Sequence, residues 1–249
     1  MSPGPIAILR PLWVTLGLLA GVLALFEFTD LDLALQDNFF DFESRRWLVD
    51  AKDPSGRLVF YNGPKALVWI IALTALTLAA GPARWRERWQ LNRRGLWLGV
   101  LVIATVPALA GLGKKYTNVF CPSEIRRYGG DVTYAKLCEP FPADDRPARR
   151  GGCFPAGHAS GGFALMGLLA VRGTRRWRNG LLALGLGLGW WMGGYQMLKG
   201  AHYLSHTLTT MLVVGLALSN ESPTGQVATA VIALLLCLEG DIALMSVVD

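Results

Sequence analysis

The stretch GLWLGVLVIATVPALAGLG, residues 95–113, has no charged side chain and is followed at once by Lys114 and Lys115. A helix needs about 20 predominantly apolar residues to cross the hydrocarbon core of a bilayer. This stretch has nearly that length. It therefore predicts a transmembrane helix that ends at a charged surface.

The rest of the chain repeats this pattern. Hydrophobic residues make up 52% of the sequence and charged residues 17%, whereas soluble domains carry about 25% charged residues. Further apolar runs lie at 11–28, 64–81, 157–171, 180–198 and 203–219. The sequence thus predicts an all-α fold, a polytopic membrane helix bundle of six transmembrane helices.

Basic residues are concentrated in two of the connections between these runs. They are Arg84, Arg86, Arg88, Arg93 and Arg94 in one, and Arg172, Arg175, Arg176 and Arg178 in the other. Because short cytoplasmic loops are enriched in Lys and Arg, we expect both loops inside the cell. The net charge of +6 is then a topology signal, and no nucleic-acid partner is predicted.

All three histidines of the chain occur in two short motifs at the ends of apolar runs. His158 lies in CFPAGHAS, residues 153–160, and His202 and His206 lie in KGAHYLSH, residues 199–206. Histidine is the side chain whose ordinary pKa is nearest neutrality, so it serves in proton transfer, nucleophilic attack and metal binding. With six alternating spans, all three histidines fall on the outer side.

These motifs resemble those of the type 2 phosphatidic acid phosphatase (PAP2) superfamily. Pro155-Ala-Gly-His158 is similar to its Pro-Ser-Gly-His motif. His202 resembles the nucleophile of the third motif, where an Arg precedes the His by six positions and an Asp follows it by four. Lys114, six residues and then Cys121-Pro122 have the spacing of the first motif, Lys-x6-Arg-Pro. The resemblance covers roughly residues 60–220.

The chain also departs from the family pattern. Cys121 replaces the first-motif Arg, Ala156 the second-motif Ser, and Tyr195 and Gln196 the Ser-Arg pair that precedes the nucleophile. His206 replaces the final Asp. Two arginines that bind phosphate and the carboxylate that orients the nucleophile are therefore absent from their expected positions.

The resemblance implies a membrane phosphatase or phosphotransferase that acts on a lipid-linked phosphate without a cofactor or metal. His202 would attack phosphorus and form a phosphohistidine, His158 would protonate the leaving oxygen, and His206 would orient His202. The predicted substrate-binding residues are Lys114, Ala156, Gly157, Gln196 and Lys199, together with Arg126 or Arg127 as a substitute for a lost arginine.

The implied location is the bacterial inner membrane, with the site facing the periplasm and membrane lipids as neighbours. A phospholipid, a polyprenyl diphosphate and a lipid A phosphate all remain open as substrates, as do hydrolysis versus transfer and the oligomeric state. We expect a first helix and an interfacial segment in residues 1–63, a PAP2-like five-helix catalytic core in 64–219, and a hydrophobic tail in 220–249. Whether residues 226–246 span the membrane stays open.

Three cysteines lie on the predicted outer side, in a compartment that favours disulfides. Cys121 and Cys153 flank the first two motifs, and a bond between them would join these motifs. Cys138 is equally eligible by sequence.

Three alternatives have weaker support. A zinc-dependent hydrolase with ligands His158, His202 and His206 leaves Pro155 and Lys114 unexplained. A transporter with a histidine proton relay places its polar residues near the middle of the membrane, whereas these lie at helix ends. A catalytically inactive PAP2 relative is the third alternative.

Overall fold

The structure is a computed structural model that describes residues 5–219, with side chains from residue 12 onward. The helices are α1 (Pro5–Phe28), α2 (Leu31–Gln36), α3 (Pro54–Arg57), α4 (Gly63–Ala80), α5 (Ala83–Glu87), α6 (Arg93–Tyr116), α7 (Gly157–Ala164), α8 (Arg175–Leu198) and α9 (Leu204–Leu218). Strands β1 (Phe40–Asp41) and β2 (Arg46–Trp47) pair antiparallel. The tail stretch 226–246 lies outside the described residues.

Helices occupy all six apolar runs, so the mostly helical fold is confirmed. Within residues 5–219, two helices are long and apolar enough to cross a bilayer, namely Pro54–Ala80 and Arg93–Tyr116. A third is added if Leu12–Phe28 and Leu31–Phe39, which meet at 80°, form one broken span. Six spans are not confirmed, because α7 has only 8 residues before a 3-10 segment and α9 has 15.

The core lies where α6, α7 and α8 meet. Val102, Phe163 and Leu165 are almost completely buried there. A Cβ on Gly162 of α7 would lie 2.4 Å from the backbone nitrogen of Gly189 in α8. Glycine is therefore required for this close helix contact, which fixes α7 and the residues at its N-terminus.

The two Arg-rich connections lie next to each other at one end of the bundle. Asn92, just before α6, donates to the carbonyl of Ala170, just before the second connection. Because α6 and α8 run away from this end and α7 and α9 run back towards it, the histidines lie at the opposite end. This arrangement matches the charge asymmetry in the sequence.

Two long connections, residues 29–62 and 117–156, pack on each other at the histidine end of the bundle. Cys121 and Cys153 form a disulfide, with Cα atoms 5.1 Å apart. Phe40 and Trp47, in the first connection, pack against Tyr128 in the second, with ring centroids about 5 Å apart. The segment within residues 1–63 that was predicted to be interfacial thus covers the loop that precedes His158.

Candidate active site

The three histidines meet at the junction of α7, α8 and α9. His158 lies in the first turn of α7, His202 in the turn between α8 and α9, and His206 in the first turn of α9. The ring centroids of His158 and His202 are 6.5 Å apart, and those of His202 and His206 are 5.7 Å apart. Residues separated by up to 48 positions in the chain therefore form one cluster.

His202 is buried, and its Nδ1 faces protein atoms. Nδ1 lies 3.4 Å from Nδ1 of His206 and 3.4 Å from Sγ of Cys153. Burial lowers the pKa of His202 well below its ordinary value, and electrostatic interactions with His206 and Lys114 lower that pKa further. The ring is therefore held neutral, which is the form a nucleophile requires.

His206 is held on two sides. Besides its contact with His202, its ring lies near the backbone of Cys153. Its edge also packs against Phe154, with centroids 5.1 Å apart. This ring is thus fixed beside Nδ1 of His202, as an orienting group must be.

His158 has a different partner, which the sequence did not reveal. Its Nε2 lies 2.8 Å from the hydroxyl of Tyr61, while its Nδ1 is buried without a hydrogen-bond partner among the described residues. Tyr61 lies in a π-helical turn, Leu58–Asn62, before α4. No family motif marks this position, so only the tertiary contact identifies it.

Cations surround the His158 side of the cluster. Cε of Lys114 would lie 3.3 Å from a Cβ on Gly157, so this lysine reaches the start of α7. The side chains of Lys199, Lys65 and Arg57 all lie within 6 Å of the ring centroid of Tyr61.

The salt bridges found within residues 12–219 use other residues than these four cations. Burial lowers the pKa of Lys199, and the neighbouring charge on Arg57 lowers it further. An anion at this side would remove the repulsion among the cations. The arrangement is therefore suited to a phosphate group.

The start of α7 offers a further anion-binding feature. The helix begins at Gly157, and the preceding Ala156 has no side chain that can cap it. The N–H of Ala156 is bound to Oγ1 of Thr210, at 3.0 Å. The N–H groups of the first turn point out of the helix, and the partial positive charge there attracts anions.

Arg126 and Arg127 do not join this cluster, which corrects the expectation that one of them replaces a lost arginine. Arg126 forms an ion pair with Asp145, and Arg127 binds Asp37 with Nε at 2.7 Å. Both guanidinium groups are thus used to hold the outer segments together. Lys65 and Arg57 lie where these arginines were expected to act.

Gln196, another predicted substrate-binding residue, is buried at the end of α8. Its backbone carbonyl accepts a hydrogen bond from the N–H of Ala201, at 2.8 Å. Between them, Gly200 adopts a positive φ of 73° and its backbone lies against the ring of Trp47. The position of Gln196 therefore shapes the turn that carries His202.

Residues 197–205 form the turn that carries His202, here named the nucleophile turn. Two side chains of α2 bind its two ends. The side-chain amide of Gln36 donates to the carbonyl of Met197 at 2.6 Å. Asp32 accepts a hydrogen bond from the N–H of Ser205 at 3.0 Å and a second from its hydroxyl. A carboxylate is favourable at this helix N-terminus, so Asp32 stabilises the start of α9.

Asp32 is not among the site residues predicted from the sequence. It lines the same small cavity as His206. Two other acids, Glu124 and Asp131, are paired with Arg149 in the outer loop. Asp32 is thus the carboxylate most closely tied to the nucleophile turn.

The PAP2 superfamily model matches residues 95–236, which is more than half of the chain. The chain belongs to the PAP2 superfamily. No curated protein and no solved structure matches it. Members of this superfamily are generally phosphatases. The PAP2 match includes Lys114 and all three histidines, but Asp32, Tyr61 and Lys65 lie before its first residue.

Proposed function

We propose that this PAP2 protein transfers the phosphoryl group of a lipid-linked phosphate through a phosphohistidine on His202, without a metal ion. The observation that supports this best is the buried His202, whose Nδ1 lies 3.4 Å from that of His206 and whose ring lies 6.5 Å from the ring of His158, which has cations around it. Nucleophile, orienting group, acid and charge neutralisation are then all present.

The phosphate would bind between His202 and His158. Their ring centroids are 6.5 Å apart, close enough for both rings to contact the same phosphate group. Lys114 and the first turn of α7 would bind its oxygens, with Lys199 completing the neutralisation. Phosphoryl transfer depends mainly on such positioning and charge stabilisation.

In the first step, Nε2 of His202 attacks phosphorus while the bond to the leaving oxygen breaks. Nδ1 of His202 then carries a proton that it shares with His206, because the two nitrogens are 3.4 Å apart. A neutral imidazole supports the resulting charge less well than a carboxylate does. Asp32, through Ser205, would compensate by fixing the nucleophile turn.

His158 would supply the proton to the leaving oxygen. When an anionic phosphate binds beside it, the ring would take up a second proton; its Nε2–H then donates to the Tyr61 hydroxyl, and its Nδ1–H, on the atom that lacks a partner, faces the leaving oxygen. We assign the acid function to this Nδ1–H of the imidazolium, which is left as a neutral ring after the transfer. In the second step the same nitrogen would take a proton from water, or from an acceptor alcohol, as that oxygen attacks the phosphohistidine.

We further propose that α1, α4, α6, α7 with its 3-10 extension, α8 and α9 form the six spans of an inner-membrane protein of bacteria. The adjacent Arg-rich connections support a cytoplasmic position for that end, which puts the histidines at the periplasmic face. Cysteine-accessibility labelling tests this: substitutions at Arg175 and Tyr128 should be labelled from opposite sides.

The decisive experiment is a phosphate-release assay on purified protein with a panel of phospholipid, polyprenyl diphosphate and lipid A phosphates. Turnover should persist in EDTA and be blocked by vanadate, and acid-labile phosphate should be trapped on the protein. Loss of turnover on chelation, restored by zinc, would instead support the zinc hydrolase. Absence of turnover on the whole panel would support the inactive relative.

A further inference from the structure

We propose that opening the Cys121–Cys153 disulfide creates a binding site for a zinc-like divalent ion, formed by Sγ of Cys153 and Nδ1 of His202 and His206. This site differs from the phosphate site, and metal binding there does not rest on the proposed function; only its predicted effect on turnover does. It also differs from a three-histidine site, because it uses Cys153 in place of His158.

The distances between the candidate ligand atoms support a tetrahedral ion. With zinc bonds of about 2.0–2.1 Å to nitrogen and 2.3 Å to sulfur, tetrahedral angles place two nitrogens about 3.3 Å apart and a sulfur about 3.6 Å from a nitrogen. The observed Nδ1–Nδ1 and Sγ–Nδ1 separations are both 3.4 Å. The three ligand atoms all lie within 4.8 Å of one another.

The types of ligand select the same ions. One thiolate and two imidazoles suit zinc and cobalt better than magnesium or calcium, which prefer oxygen. All three side chains are buried, so the ion would meet preformed ligands. Water or a second protein group would fill the fourth position.

The disulfide masks the site, because only a thiolate of Cys153 is a strong metal ligand. A phosphine reductant supplies two electrons, cleaves the S–S bond to give two thiols, and becomes a phosphine oxide with oxygen from water. Metal binding then displaces the thiol proton of Cys153 to the buffer. The sulfur already contacts Nδ1 of His202 in the oxidised protein.

Metal binding at this position would stop phosphoryl transfer. The ion would occupy Nδ1 of His202 and the ring of His206 together, so His206 could no longer share the proton that the nucleophile requires. Reduction would therefore make a metal-insensitive protein sensitive to zinc.

The test compares two double variants, Cys121→Ser with Cys138→Ser, and Cys153→Ser with Cys138→Ser. Both lack the disulfide, and only the first keeps the sulfur of Cys153. Titrated with Co²⁺ in detergent, the first should bind one ion per chain and show thiolate-to-cobalt charge-transfer absorption. The second should lack this absorption and bind at least about tenfold more weakly, the usual loss for a disturbed metal site. Equal cobalt binding and equal spectra would overturn the proposal.

A second measurement covers the case in which these variants do not fold. Wild-type protein is titrated with Co²⁺ before and after phosphine reduction, with circular dichroism as the check on folding. The absorption should appear only after reduction, and reoxidation should remove it. A folded, reduced protein without the absorption would contradict the site. Cobalt spectra do not depend on turnover, so a failure of the metal-site proposal can be distinguished from a failure of the phosphatase proposal.

Discussion

The two sides of the histidine cluster differ in construction. His202 and His206 are 2% and 3% exposed, His202 lies against Sγ of Cys153, and Asp32 binds Ser205 between the two histidines. His158 is partly exposed and lies beside Tyr61 among four cations. The first, buried side is called the closed side, and the second, basic and more exposed side is called the open side.

The difference suggests that the two sides compensate differently for the PAP2 family residues that this chain lacks, namely a carboxylate on the closed side and arginines on the open side. On the closed side, we propose that His206 takes the place of the orienting carboxylate and that hydrogen bonds from α2 fix the nucleophile turn. On the open side, we propose that lysines take the place of arginines; they would neutralise phosphate as point charges without the paired hydrogen bonds of a guanidinium. Each side can be tested separately.

The largest expected effect is at the nucleophile. His202→Ala should reduce turnover by roughly 10⁴-fold or more, because removal of a nucleophile leaves only binding and charge stabilisation. Trapped acid-labile phosphate should disappear as well. Retention of that phosphate in the variant would place the nucleophile elsewhere, and His158→Ala, which should still trap it from a nitrophenyl substrate, serves as the control.

The next effect tests the closed side. His206→Ala should lower turnover by roughly 10² to 10⁴, the range for a partner in proton transfer, whereas His206→Asp should keep or raise it because a carboxylate supports the imidazolium better. Initial rates of both variants provide the measurement. A nearly wild-type alanine variant together with an inactive aspartate variant would mean that His206 does not orient the nucleophile.

On the open side, Lys114→Ala should reduce kcat/KM by roughly 10²-fold, the effect of removing one group that stabilises the transition-state charge. Its neighbour Lys115 is exposed at the end of α6, so Lys115→Ala is the matched control and should stay within a few-fold of wild type. Equal losses in the two variants would show that Lys114 acts only through surface charge.

Tyr61→Phe should have a smaller effect, which depends on the substrate. Without the hydroxyl, Nε2 of His158 loses its partner and the ring is less firmly held with Nδ1 facing the leaving oxygen. We expect a loss of about tenfold with alkyl phosphates, which is less than the roughly 10² to 10⁴ expected for loss of the acid itself, and almost none with nitrophenyl phosphate. The same loss on both substrates would argue for a structural rather than a positioning role.

The smallest effect on rate should come from Asp32→Ala, which removes the side chain that binds the nucleophile turn. Without it, the N–H and hydroxyl of the buried Ser205 lose this acceptor, which should lower the free energy of unfolding by about 1–3 kcal/mol and turnover by a few-fold. Thermal unfolding in detergent measures the first quantity. Glu43→Ala, on an exposed side chain, should leave it unchanged, and an equal decrease in both variants would contradict the role of Asp32 at this turn.

Local patterns were enough for the helices and for the histidines. Apolar runs and charged flanks depend on residues near one another in the chain, so the runs at 64–81, 95–113 and 203–219 appear as α4, α6 and α9 almost residue for residue. The motif spacing identified His158, His202 and His206 because each lies at a helix end that the same patterns predict. All three histidines lie within the residues that the PAP2 model matches.

Only the tertiary structure decided what surrounds those histidines. The contact between His158 and Tyr61 spans 97 positions, and the one between Asp32 and Ser205 spans 173. No local pattern predicts contacts over such separations. The same reason explains why the sequence did not show that Arg126 and Arg127 pair with Asp145 and Asp37, and why it left three candidate cysteines where the fold pairs Cys121 with Cys153. The sequence determines the chemistry of each side chain, whereas the packing of distant segments determines which partner that side chain contacts.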